Sequence, residues 1–164
     1  MTTPAPVSGA GAADAYARLT ELGLTLPQVV PPLAAYVPAV QSGDHVYVSG
    51  QLPMVDGKLR YTGKVGADVT VEQGTELARI CALNALAAID SLVGLGRITK
   101  IVKVTGFVAS AEGFSEQPAV VNGASQLFGD VLGELGRHAR SAVGVAELPL
   151  DAPVEVEVIA EIAP

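Results

Sequence analysis

The stretch that decides the fold is Ala139-Arg140-Ser141-Ala142-Val143-Gly144-Val145-Ala146-Glu147-Leu148-Pro149, followed by Pro153-Val154-Glu155-Val156-Glu157-Val158-Ile159-Ala160. It reads as two strands joined by a short Pro/Asp turn. In the second strand Val154, Val156, Val158, Ala160 and Ile162 share one side, while Glu155, Glu157, Ile159 and Glu161 share the other. Side chains alternate along a strand, so this is a sheet with one core face and one mixed face. A lone Arg140 stands at the start of the first strand. An arginine beside so much apolar surface needs a partner, and a carboxylate ligand is one candidate. A snorkelling arginine at a strand end is the other.

Working outward, the same alternation recurs near the N-terminal side. Val46 and Val48 oppose His45, Tyr47 and Ser49. Ala34 to Val40, with Tyr36, and His45 to Ser49 form a strand pair around Ser42-Gly43-Asp44. Asp56-Gly57 marks a turn, and Lys58 to Thr62 returns as a short edge strand. Thr70 and Gln73 stand at capping-box spacing and open a long helix. Its stripe is Leu77, Ile80, Cys81, Asn84, Ala85, Ala88, Ile89 and Leu92, and Gly94 and Gly96 end it. Lys100 to Ala109 is a strand. Pro118 to Leu135 is a second helix with Val120, Val121, Ala124, Leu127, Phe128, Val131 and Leu132 inward. A short helix at Asp14 to Leu22, closed by Gly23, precedes all of this. Pro27, Pro31 and Pro32 hold the following connector extended. The order is β-β-α-β-α-β-β, an α+β subunit with two helices on one face of a mixed sheet. Residues 1–12 read as a disordered lead and 13–164 as one domain.

The chain has 164 residues, 49% hydrophobic and only 16% charged, with no tryptophan. That is more apolar side chain than one small interior requires, and the excess points to a subunit interface. No apolar run approaches the roughly 18 residues of a membrane span. The first ten residues lack the basic start and apolar stretch of a secretory signal. A net charge of −7 argues against nucleic acid as a partner. Cys81 is the single cysteine, which suits a cytoplasmic location, and its mid-helix position reads as a small hydrophobe. His45 and His138 are not at ligand spacing, so no metal site is expected. Asn84 reads as an interface or cap residue and Tyr47 as interface packing. His138 reads as a helix-end charge partner, or as a residue rimming a cleft. Lys100 and Lys103 read as a solvated strand start.

These pieces together resemble the RidA family, also called YjgF or, by an older label, L-PSP endoribonuclease. The carrying residues are Tyr36-Val37, Val48-Ser49-Gly50-Gln51-Leu52-Pro53, Val104 to Val108, Val121-Asn122, Ala139-Arg140-Ser141, Val145-Ala146-Glu147-Leu148-Pro149 and the closing Val154 to Ala160. The resemblance implies a chorismate-mutase-like subunit in a homotrimeric barrel, with sheets inward, helices outward and ligands in clefts between subunits. It implies hydrolysis of a reactive enamine or imine to a 2-keto acid and ammonia, with no metal or organic cofactor. Carried over, Arg140 holds the substrate carboxylate and Glu155 positions or activates the attacking water. Tyr36, Gly50, Asn122, Ser141 and Ala142 match cleft-lining positions. Three features depart from the pattern. Ala142 stands where active members commonly have cysteine, Ala34-Ala35-Tyr36 replaces Gly-Pro-Tyr, and the chain is longer around Tyr61 to Ala67. They mark a divergent subgroup.

A hairpin centred near Leu150 and Asp151 would pair Glu155 near Ala146. Arg140 would then lie roughly 20 Å away, too far to share a small ligand within one chain. Both residues are therefore expected to meet across a subunit boundary. A non-catalytic trimer that binds small carboxylate metabolites is the alternative, and an endoribonuclease ranks last.

Overall fold

In the computed structural model, residues 10–29 and 35–164 are described. The expected disordered lead falls mostly on residues 1–9, outside them. Helix α1 (Ala10–Glu21) starts before the expected Asp14 and ends in the turn to Gly23. The strands are β1 (Ala39–Ser42), β2 (His45–Gln51), β3 (Met54–Val55), β4 (Lys58–Leu59), β5 (Ile98–Ala109), β6 (Ala139–Val145) and β7 (Val154–Ile162). The two long helices are α2 (Val71–Val93) and α3 (Gln117–Leu132).

The expected strand from Ala34 is shorter than its sequence pattern. Ala34 lies outside the described residues, and Tyr36 sits in a bend before β1 rather than in a strand. Ser49 explains the bend: its amide donates to the Pro38 carbonyl and its hydroxyl to the Val37 carbonyl. Those contacts lay residues 37–38 beside β2. Lys58–Leu59 does return, but onto β3 as a separate two-stranded ribbon. Helix α3 stops at Leu132, and Gly133 to Gly136 form a 3-10 turn in place of its last expected residues.

The main sheet runs β1-β2-β7-β5-β6. The expected hairpin between the closing strands does not form, because β5 lies between them. Strand β6 is parallel to β5, and β7 is antiparallel to β5 on its other side. Helix α3 supplies the crossover that a parallel pair requires. The connector from β6 to β7 passes the end of β5, where Pro153 accepts from the Ala109 amide and Asp151 from the Gly63 amide. Leu150 and Asp151 take positive φ there, at 60° and 59°.

Both long helices cover one sheet face. The Thr70–Gln73 capping box opens α2 as expected. Glycines let the helices touch. A Cβ on Gly123 would stand 1.9 Å from the Thr75 carbonyl oxygen of α2. Between helices and sheet lie Leu77, Leu86, Ile89, Phe128 and every inward residue of β7, all buried. Among the described residues no polar or charged side chain is buried in this layer. Leu92, expected in the stripe, is exposed near the helix end. Asn84 turns out to tie α2 to the loop after β2, donating to the Leu52 and Met54 carbonyls. Helix α1 packs outside, against α3.

Candidate functional site

Arg140 belongs to the edge strand β6. Its register partner is Val104, which in turn faces Val158, and both are buried under the helices. Opposed residues share a face, so Arg140 points to the helix side, over α3. There its Nη1 donates to Asn122 Oδ1 at 2.8 Å and to Ser125 Oγ at 3.1 Å. Its Nη2 lies 3.4 Å from the Pro118 carbonyl. Asn122 and Ser125 are three residues apart on α3 and therefore present neighbouring side chains. All three acceptors are neutral. Arg18, Arg60, Arg79 and Arg137 each rest on a carboxylate; among the described residues Arg97, held by the Ala163 carbonyl, and Arg140 have none. The charge of Arg140 is thus oriented by the protein but not neutralised by it, which is what a carboxylate-binding group needs.

Ala142 shares the side of Arg140, opposite Gly106 and partly buried against the core. Ser141 points to the opposite side. It stands across from Thr105 and accepts from Lys103 Nζ at 3.0 Å. Lys103 is therefore engaged with a second strand instead of merely solvated.

Glu155 occupies the other part of the sheet. It alternates with the buried Val154 and Val156 and so lies on the open face, half-buried. Gly50 makes room for it, since a Cβ there would fall 1.7 Å from Glu155 Oε1. The Ser49 contacts lay residues 37–38 along β2 on the side away from β7, and Tyr36 itself is exposed. Desolvation first, and then the neighbouring Glu157, push the Glu155 pKa above the ordinary carboxylate range. Burial, then the Glu155 charge, push the Cys81 thiol well up, as befits a cysteine used as a core hydrophobe.

The expected site residues thus fall into two groups. Gly50 and Glu155 meet on β2 and β7, with Tyr36 in the bend before β1, and Asn122, Arg140 and Ala142 gather at β6 and α3, with Ser141 on the other face of β6. The first group reaches from the β1 end of the sheet to its middle strand β7, and the second lies at the β6 edge. From β6 to β7 are two strand spacings, roughly 10 Å, and Glu155 lies three residues along from the level of Arg140. Their Cα atoms are about 14 Å apart, and their side chains leave opposite faces. One chain does not bring them together. The distance argued from a hairpin is replaced by this one, with the same separation of roles.

Residues 16–162 match the family model described as "YjgF/chorismate mutase-like, putative endoribonuclease". The chain belongs to the RidA (YjgF) family. It is 46% identical over 148 residues to Protein TCP17 of Trypanosoma cruzi, covering 89% of this chain and 92% of that one. The solved structure of Atu1372 from Agrobacterium tumefaciens, described as of unknown function, superposes with a TM-score of 0.84 at 48% identity, over 92% and 93% of the two chains. The 2-iminobutanoate/2-iminopropanoate deaminase of Salmonella typhimurium is 34% identical over 133 residues, 78% of this chain and 88% of its own.

Within this RidA subunit, the contacts of two residues in the Arg140 cluster escaped the sequence reading. Ser125 was not singled out. His138 was read at a helix end or a cleft rim, without its partner: its Nε2 lies 2.9 Å from Ser125 Oγ. Periodicity carried the signal for both. His138 precedes Arg140 by one strand repeat, and Ser125 follows Asn122 by one helical step. Among the described residues, no three His, Cys, Asp or Glu side chains come together in a way that could hold a metal ion. No helix of the described residues is long and apolar enough to cross a membrane.

Proposed function

We propose that this RidA-family chain hydrolyses small 2-imino acids as a cytoplasmic homotrimer, at the seams where the β6 edge of one subunit meets the β1–β2 edge of the next. The observation that carries the reading is Arg140, held by Asn122, Ser125 and Pro118 yet without a carboxylate of its own. It takes the substrate carboxylate. Glu155 of the neighbouring subunit then faces the imine carbon and orients water. As the water oxygen bonds to that carbon, a proton passes to the Glu155 carboxylate. Glu155 hands that proton to the nitrogen, giving the neutral carbinolamine; it then takes the hydroxyl proton and delivers it to the nitrogen as the C–N bond breaks, so that ammonia leaves and the 2-keto acid remains. Tyr36, Gly50, Asn122, Ser141 and Ala142 line the seam, and the chemistry calls for no cofactor. The open sheet face, with Tyr47 and Val143 exposed, is the surface the trimer covers.

The test is a threonine dehydratase reaction followed by 2-keto acid release. Added protein speeds release, and Arg140→Ala loses the acceleration. A wild-type chain without effect contradicts the reading. Ala142, in place of the thiol common in active members, supports a second reading as a carboxylate-binding trimer without turnover. Calorimetric binding of 2-oxobutanoate with no rate effect selects it. Ribonuclease activity fits poorly with a net charge of −7.

A further inference from the structure

We propose that Ser125 and His138 are positioning residues that lock the Arg140 guanidinium so that its Nε–Nη2 edge is the one offered to a carboxylate. The proposal rests on the reading of Arg140 as a carboxylate clamp and adds how the clamp is aimed.

The chain of contacts has one sense. His138 Nδ1 lies 2.6 Å from the Gly136 carbonyl. A carbonyl only accepts, so Nδ1 carries the proton and Nε2 of the neutral ring is an acceptor. The Ser125 hydroxyl, 2.9 Å away, must then donate to Nε2. Its lone pairs are left facing Arg140 Nη1 at 3.1 Å. Were Ser125 free to rotate, its hydrogen could point at the guanidinium and repel it. The histidine removes that choice.

The far end of the chain is rigid. Gly136 is buried, and a Cβ on it would stand 2.2 Å from the Phe128 carbonyl, so the backbone there sits hard against α3. The Phe128 ring meets the His138 imidazole edge-on, with centroids 5.9 Å apart at 84°. The ring orientation is therefore set from two directions.

The consequence falls on Arg140. Nη1 has two hydrogens, and Asn122 Oδ1 and Ser125 Oγ account for both. Nε has no partner among the described residues, and Nη2 has only the 3.4 Å approach to Pro118. The Nε–H and the adjacent Nη2–H remain as a parallel pair, the side-on fork that receives two carboxylate oxygens.

Two measurements test this. Only two histidines are present, so long-range 1H–15N spectra of the wild-type protein read the His138 tautomer directly. The Nδ1–H form is expected, and the Nε2–H form overturns the proposal. Calorimetric titration with 2-oxobutanoate tests the role. Ser125→Ala and His138→Ala each weaken binding about fivefold, the worth of one neutral hydrogen bond. The double variant is no weaker than either single one, because both break the same chain. His138→Gln, which can place an amide oxygen where Nε2 stood, recovers most of the loss. Binding unchanged in Ser125→Ala and His138→Ala, while Arg140→Ala abolishes it, overturns the positioning role and leaves the clamp standing. Losses that add in the double variant, or that His138→Gln does not repair, also overturn it. Wild-type protein that fails to bind, or binding that survives Arg140→Ala, overturns the clamp and the proposal with it.

Discussion

The two faces of the sheet are made by the same strands and differ in what completes them. On the helix side, Val104, Val108, Val156 and Val158 meet α2 and α3, and the layer closes within one chain. On the other side, Tyr47, Lys103, Val143, Glu155 and Glu157 meet no second layer among the described residues. The closed face needs only itself, and the open face carries Glu155, half of the proposed site. Alternation thus divides labour within single strands: neighbouring residues of β7 serve stability on one side and, in the proposed reading, chemistry on the other.

The contrast breaks first under core substitutions. Leu86→Ala should lower the unfolding free energy by about 2–5 kcal/mol in denaturant titration. Gly123→Ala should cost about 3 kcal/mol, because the clash is with the Thr75 backbone, which cannot swing aside. Val143→Glu on the open face should leave secondary structure intact and instead reduce the mass in solution from trimer to monomer, read by light scattering. A trimer that tolerates this charge would assign the open face to something else.

Smaller effects sharpen the comparison at the boundary between the faces. Gly50→Ala collides only with the far end of the Glu155 side chain, which can move. Stability should fall by less than about 1 kcal/mol, while imine turnover should fall about tenfold as the carboxyl is displaced. The smallest effect is a slope. The Glu155 pKa lies above its ordinary 4.5 in the folded protein, so the native state binds the proton more tightly than the unfolded chain does. Its contribution to stability is full below 4.5 and is lost as pH rises through the higher folded value. Glu155→Gln should flatten that fall in pH-dependent unfolding. An identical slope in the variant would locate the proton elsewhere.

The closed face was legible in the sequence, and the open face was legible only in part. The alternating valines of Val154 to Ile162 identified the core side because period two admits one reading once one face is apolar. The capping box at Thr70 and the stripe of α3 were equally local. Pairing was not local. The short link between β6 and β7 suggested a hairpin, yet the better signal was strand, helix, strand: β5, α3 and β6 form a crossover unit, which makes β6 parallel to β5. Of the site, Arg140, Asn122, Gly50 and Glu155 came from family pattern. Ser125 came only from geometry, as did the partner of His138, since their role depends on which atom faces which. Tyr36 was misplaced in a strand because nothing in its own neighbourhood reveals that Ser49 claims the Val37 carbonyl.

The central claim is that the two half-sites, at β2–β7 and at β6–α3, complete each other only between subunits. Co-refolding Arg140→Ala with Glu155→Gln at equal amounts, each inactive alone, tests it most directly. In a ring of head-to-tail interfaces, a seam that takes its arginine from one variant and its glutamate from the other is intact. Random assembly makes about one seam in four intact, so imine turnover should return to about a quarter of the wild-type value. Mixed trimers that form and remain inactive would contradict the claim.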